Sequence, residues 1–554
     1  MYGRDVFMES LLAHGVQHLF GNPGTTESPL IDSLARYQGI DYVLALHEGV
    51  AIGAASYYAQ ACGRAGVVNL HVAPGLGNAI GMIFGALRTN SPMVVTAGQQ
   101  DTRLRLRDPI LGHDLVAMAA PVVKWSVQAD SADEIAPVMR RAFKIAHDAP
   151  SGPVFVALPI NVMEQQTEVA ARAAGPLYRA PPPDAEGVAA VARHLLAAQE
   201  PAIMIGDDVA RAGAGDALVA LAEAVGAGIW TELIHQHQPV PNMHPNYRGR
   251  IPTDPANIAK AFGGADTVLM VGGPFFEEVW YAPEGPFPPG AAVLQIEEST
   301  ERLARNHGLD AGLIAGLKPA LEAVCALVKE EQSTAYATEA EERNQVFVNF
   351  REKERADRIA RLDAIRERRP MPVPIMLEAI AAAVPEDAVI VEEAITGSPE
   401  IPKAFSFGGH GDYFCGRGGG IGQGIAGALG VKLAMPERPM VCLSGDGSAM
   451  YSIQALWTAA HHRLPIVFVI LANAEYRILK HNLDIYRKRF GVGSNHPYVH
   501  MDLVEPPLGF VEMAAGMGVA GTRVTEPDEL AETVQNALAA GEPYLIEAAV
   551  EGKI

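Results

Sequence analysis

The chain has 554 residues, 49% of them apolar and 19% charged, and carries a formal net charge of −21. That length exceeds one hydrophobic core and calls for several domains, and so acidic a surface excludes nucleic acid as a partner, because phosphates repel it. No uninterrupted apolar run reaches the roughly 18–20 residues that span a bilayer, and Met1-Tyr-Gly-Arg-Asp-Val-Phe-Met8 lacks the basic-then-apolar order of a signal peptide. The four cysteines, Cys62, Cys325, Cys415 and Cys442, form no CxxC pair, so neither a disulfide framework nor a zinc site is indicated. A cytoplasmic protein with no membrane partner is the expectation.

Three blocks alternate short apolar strands with helices, the pattern of parallel α/β sheets. The first, residues 1–170, offers strands at Val43–Leu46, Val67–Leu70, Met93–Thr96 and Val154–Ala157. A linker rich in Ala and Pro runs through Ala180-Pro-Pro-Pro-Asp184. The second block, residues 185–330, has strands at Ala202–Ile205, Thr267–Val271 and Ala292–Ile296. Lys329 to Arg369 is dense in charge at helical spacing and reads as a solvated connecting helix. The third block, residues 370–554, has strands at Ala388–Val391, Pro439–Ser444 and Pro465–Ala472. The predicted fold is α/β, with three doubly wound parallel-sheet domains.

The last two strands end on Gly445-Asp446-Gly447-Ser448 and on Asn473, with helical spacing between them at Ile453, Leu456, Trp457 and Ala460. Strand–helix–strand makes the two strands parallel, with their carboxyl ends on the edge where open α/β sheets bind ligands. A carboxylate and an amide oxygen there suit a hard cation that holds a phosphate. Flanking glycines let backbone amides approach the anion. A bare GDG is most often just a turn, so more distant segments have to decide. Gly422-Gln-Gly-Ile-Ala-Gly427 is literally a GxGxxG, but the glycine-rich run before it is no clean strand and no well-placed acid ends the next one, which disfavours a nicotinamide dehydrogenase.

Those distant segments lie in the first block: Phe20-Gly-Asn-Pro-Gly-Thr25-Thr-Glu27, Ala45-Leu-His-Glu48-Gly, Asn69-Leu-His71-Val-Ala-Pro-Gly75-Leu-Gly-Asn78 and Thr96-Ala-Gly-Gln-Gln100. Together with the GDG unit and Asn473 they resemble the thiamin diphosphate (ThDP) enzymes of the 2-keto acid decarboxylase and acetolactate synthase branch, most of all benzoylformate decarboxylase. The resemblance runs over essentially the whole chain. It implies pyrimidine-binding, middle and diphosphate-binding domains in that order. It also implies ThDP and Mg²⁺ as cofactors, and a homodimer or homotetramer in which Glu48 of one subunit meets the diphosphate site of another.

Residue by residue, the resemblance makes Glu48 the carboxyl that hydrogen-bonds the aminopyrimidine. An acid at that position is otherwise simply a helix N-terminal charge. The carboxyl favours the imino tautomer that removes the C2 proton; the ylide attacks a ketone, and the thiazolium holds the electrons left by CO₂, giving an enamine. Asp446, Asn473 and the main chain of Glu475 would hold the metal. Ile395, Thr396, Gly420, Gly445, Gly447, Ser448, Tyr476, Arg477 and Ile478 match cofactor contacts, and Ile421 matches the bulky wedge under the cofactor's bend. His71 and Thr25 are the catalytic candidates of the substrate pocket; His47, Gln100 and His113 are further polar positions. A second pocket histidine of benzoylformate decarboxylase is replaced by Val279, so proton delivery differs or is absent. The substrate implied is a small 2-keto acid or an acyloin. Decarboxylation with accompanying carboligation leads. A C–C lyase or carboligase (acetolactate synthase-like, benzaldehyde lyase-like or 2-hydroxyacyl-CoA lyase-like) is the alternative.

Overall fold

The computed structural model describes every residue except 176, 178, 179, 253, 277–279, 282, 284, 418, 553 and 554. Val279 therefore lies outside the described residues. The chain forms two compact units: Met1–Leu177 with Arg369–Ser398 and Gly416–Ile554, and Tyr178–Arg368 with Pro399–Cys415.

In the first unit, β1 (His18–Gly21), β2 (Asp41–Leu44), β3 (Gly66–Leu70), β4 (Met93–Gln99), β5 (Ser126–Gln128) and β6 (Pro153–Pro159) form a sheet of order β2-β1-β3-β4-β6-β5. Every neighbouring pair is parallel. The order reverses between β1 and β3, so the crevice favoured for ligands opens beyond the carboxyl ends of those two strands. Asn22–Glu27 follows β1, and His71 follows β3.

The second unit carries β7 (Pro201–Ile205), β8 (Gly228–Thr231), β9 (Tyr247–Arg250), β10 (Thr267–Val271), β11 (Ala292–Glu297) and β12 (Ala311–Ile314), in the order β12-β11-β10-β7-β8-β9. Again every pair is parallel. This unit also holds the predicted connector, a single 32-residue helix, Thr334–Ile365, that buries only Tyr336, Ala340 and Leu362.

β14 (Tyr413–Cys415) belongs to the second unit; the third sheet is built from β13 (Val389–Glu393), β15 (Met440–Gly445), β16 (Val467–Ala472), β17 (Ala520–Val524) and β18 (Tyr544–Ala549). Its five strands in the first unit run β13-β15-β16-β18-β17, all parallel. β15 and β16 are direct neighbours, with Ser444 opposite Ile470, so Asp446 and Asn473 emerge side by side. Val467–Leu471 is buried throughout, which explains its unbroken apolar run: a central parallel strand is covered on both faces.

Two helices tie the first and third sheets of this unit together. Glu48–Cys62 and Gln423–Ala434 are buried almost all round. Their small residues let backbones touch: a Cβ on Gly53 would lie 2.8 Å from the Ala426 Cβ, and one on Gly430 would overlap the Ala54 carbonyl. Any side chain at Gly430 forces these helices apart. Glu48 is the first residue of one, and Gly420-Ile421 leads into the other, so close packing fixes both ends.

Candidate active site

The structure brings the first-block candidates to one sheet edge. Glu48 is 7% exposed. Asn78 Nδ2 donates to its Oε2 at 3.0 Å, and His47 caps the helix by accepting from the Gly49 N–H at 3.0 Å. His47 is thus a helix cap. His113 is exposed, and its carbonyl accepts from Gln99; the Gln100 N–H donates to Gln99 Oε1 at 2.8 Å.

His71 is held by Glu27, a residue outside the candidates read from the sequence. Glu27, 2% exposed, takes His71 Nδ1 on Oε2 at 2.8 Å together with the Gly24 N–H at 2.9 Å. Its Oε1 accepts from the Thr26 hydroxyl at 2.7 Å and the Gly98 N–H at 2.9 Å. Four donors converge on one carboxyl, so His71 donates from Nδ1 and keeps Nε2 for other partners. Thr26 Oγ1 also lies 3.3 Å from His71 Nδ1. Thr25, the hydroxyl singled out from the sequence, has an exposed side chain. The Glu27–His71 contact spans 44 residues. Only Glu27's place in the Asn-Pro-Gly-Thr-Thr-Glu turn hinted at it, and that signal reads equally well as a helix cap.

At the third sheet, Asp446 is 4% exposed. Its Oδ1 accepts from the Gly447 N–H and its Oδ2 from the Ala474 N–H, each at 2.7 Å. Burial raises its pKa above the ordinary value, a cost that a bound cation would offset. Asn473 Oδ1 accepts from the Glu475 N–H at 3.0 Å. Gly447 lies under Tyr476: a Cβ there would stand 2.6 Å from the ring. Among the described residues no cluster of three His, Cys, Asp or Glu side chains could hold a metal. A cation here would rely on a carboxylate, an amide, a carbonyl and the oxygens of its ligand, the donor set magnesium takes beside phosphates.

The surrounding loops are built to stay in place. Glu392 accepts from the Ala394 N–H and the Ser398 hydroxyl, shaping the turn that carries Ile395 and Thr396. Glu393 accepts from the N–H groups of Gly422 and Gly424, and burial pushes its carboxyl up to about 7. Gln423 Nε2 donates to the Gly420 carbonyl at 2.7 Å. These bonds fix Gly420 and Ile421, and Ile421 is only half-buried, outside the core. Ser448 is buried, Gly445, Tyr476 and Ile478 are half-buried, and Arg477 donates to the Glu551 carbonyl at 3.2 Å.

Backbone strain marks the same edges. Val72, Ile395 and Ala474 have φ of 45°, 41° and 58°, the left-handed region that β-branched residues avoid. Each adjoins a candidate: His71, Thr396 and Asn473. Such strain clusters at ligand and catalytic sites.

Three domain families match in order: the thiamine pyrophosphate enzyme N-terminal TPP binding domain over residues 1–118, the central domain over 188–324 and the C-terminal TPP binding domain over 403–548. Benzoylformate decarboxylase of Pseudomonas aeruginosa is 31% identical over 543 residues, 97% of each chain. The chain belongs to the thiamine pyrophosphate enzymes. Acetolactate synthase isozyme 3 large subunit of Escherichia coli is 28% identical over 97% of this chain and 92% of its own. Among solved structures, a thiamine diphosphate-dependent 4-hydroxybenzoylformate decarboxylase of Rhodococcus jostii aligns with a TM-score of 0.85 at 28% identity, covering 100% of both chains. Benzoylformate decarboxylase of Polynucleobacter necessarius aligns at 0.87 and 25% identity, over 100% of this chain and 99% of its own. The thiamine pyrophosphate domains carry both halves described above, Glu48 with His71 in the first and Asp446 with Asn473 in the last.

Proposed function

We propose that this thiamine pyrophosphate enzyme decarboxylates a small 2-keto acid without oxidation, R–CO–COO⁻ + H⁺ giving R–CHO + CO₂, using ThDP and Mg²⁺. The observation that carries the reading is the Glu27–His71 pair on the edge that also bears Glu48. It is a fixed proton carrier beside the position the family uses for its carboxyl, in a chain similar along its whole length to benzoylformate decarboxylases.

Bound ThDP supplies an electron sink for the bond to the departing carboxylate. The chain's own residues orient and move protons. Asp446, Asn473 and the Glu475 carbonyl would hold the cation, Gly447 and Ser448 would contact the diphosphate, and Ile421 would support the cofactor from below. Glu48, steered by Asn78, is the carboxyl of the proton relay. His71, its tautomer set by Glu27, carries a proton at Nε2 to or from the substrate. Glu48 of one subunit completes the Asp446 half of another, so the working unit is at least a homodimer. Carboligation is the second reading, favoured by full-length similarity to acetolactate synthase and by Val279 at the position where the resemblance to benzoylformate decarboxylase implies a second pocket histidine.

The test is a panel of aromatic and aliphatic 2-keto acids and acyloins, assayed for CO₂ and aldehyde with ThDP and Mg²⁺. Equimolar CO₂ and aldehyde from a 2-keto acid is expected. Cleavage of acyloins with no 2-keto acid consumed would replace the decarboxylase with a lyase.

A further inference from the structure

Glu475 stands two residues beyond Asn473, and its side chain is as deliberately placed as its main chain. It is 8% exposed. Oε2 pairs with Lys480 Nζ, itself 9% exposed, and Lys480 also donates to Asp502 Oδ1 at 2.6 Å. The backbone repeats the tie: the Tyr476 N–H donates to the Met501 carbonyl and the Leu503 N–H to the Ala474 carbonyl, both at 2.8 Å. Residues 474–476 are therefore clamped against 501–503. Two carboxylates share one ammonium, so the cluster keeps a net negative charge. The other oxygen, Oε1, is buried and has no hydrogen-bond partner among the described residues. A buried carboxylate oxygen left without a donor is costly, and this one stands on the Asn473 side of the turn: a Cβ on Gly552 would lie 2.6 Å from the Asn473 carbonyl oxygen and 3.4 Å from Glu475 Oε1.

We propose that the Glu475 side chain is a second, charged contribution to the cation site, its Oε1 accepting from a water that the cation holds, with Lys480 fixing the carboxylate in place. This goes beyond the main-chain role and rests on the reading that Asp446 and Asn473 hold the cation. A carboxylate added to the surroundings of a divalent ion raises its affinity, and outer partners of this kind tune metal binding by roughly 10- to 100-fold.

The experiment uses full-length Glu475→Gln, which keeps the carbonyl, the volume and an acceptor for Lys480. ThDP retention is titrated with Mg²⁺ by fluorescence quenching, and the thermal midpoint is read without cofactor. The Mg²⁺ concentration for half-maximal retention should rise roughly 10- to 100-fold while the cofactor-free midpoint stays close to wild type. A shift below about twofold would overturn the proposal. If Glu475→Gln is unstable, Glu475→Gln with Lys480→Met removes both charges: a raised Mg²⁺ requirement supports the proposal, and a wild-type requirement reduces the pair to a structural tie. Asp446→Ala is the control. If it leaves the Mg²⁺ dependence intact, the cation site itself is misplaced and the proposal falls with it. If Asp446→Ala abolishes retention while Glu475→Gln is silent, only the proposal fails.

Discussion

Glu27→Gln is the sharpest single change the site offers. The carboxyl accepts four hydrogen bonds, two on each oxygen; an amide can accept on one side only. With its nitrogen toward Thr26 and Gly98 it would strand the buried Gly98 N–H; with its nitrogen toward Gly24 and His71 it strands the Gly24 N–H, which is only half-buried and can turn to water. The second arrangement is therefore favoured, and it takes from His71 the acceptor that sets its tautomer. One orphaned N–H costs about 1–3 kcal/mol of stability, and loss of a positioned general acid or base costs about 10²–10⁴ in rate. Steady-state CO₂ release should fall by that factor while ThDP retention stays unchanged, because Asp446 is untouched. Glu27→Gln added to His71→Ala should cost little more than His71→Ala alone, since the two act as one unit. A folded Glu27→Gln enzyme within about threefold of wild-type kcat/KM would refute the reasoning.

Other outcomes follow from the same geometry. Asp446→Ala should lose ThDP on gel filtration; undiminished retention would remove Asp446 from the cation site. Glu48→Gln should retain cofactor yet slow C2–H exchange by about 10²–10⁴, and a wild-type exchange rate would take Glu48 out of the relay. Burial raises Glu393 from its ordinary value near 4.5 to about 7; the folded chain then binds a proton that the unfolded chain has released, so this group's contribution to stability is present at low pH and is lost as pH rises through that window. Glu393→Gln should flatten the corresponding slope in thermal midpoints taken between about pH 5 and about pH 7.5; an unchanged slope would contradict it.

Much of this architecture was legible because parallel strands write themselves as apolar runs. Thr267–Val271 matches its predicted limits, and the β15–helix–β16 unit delivers Asp446 and Asn473 to one edge as expected. Strand ends drifted by one to three residues: β2 closes at Leu44 rather than Leu46, and β4 runs on to Gln99. Ends depend on which neighbour continues to pair, not on local pattern. What stayed hidden is contact across long separations. Glu27 reaches His71 through the adjacency of β1 and β3, and Asp502 reaches Lys480, 22 residues earlier, where its loop returns against residues 474–476. No spacing rule encodes either. The resemblance points to Thr25, whereas the turn Thr25–Glu27 directs the buried hydroxyl of Thr26 to the histidine.

The central claim is an active site assembled from the Glu48 half of one chain and the Asp446 half of another, and mixing two dead variants tests it most directly. Glu48→Gln and Asp446→Ala protomers, each inactive alone, are dissociated together, reassociated with ThDP and Mg²⁺ and assayed for CO₂. In a mixed dimer one interface pairs an intact Glu48 with an intact Asp446, so random reassociation should restore roughly a quarter of wild-type activity. No recovery, with mixed dimers demonstrated by mass, would mean that each site is built within a single chain.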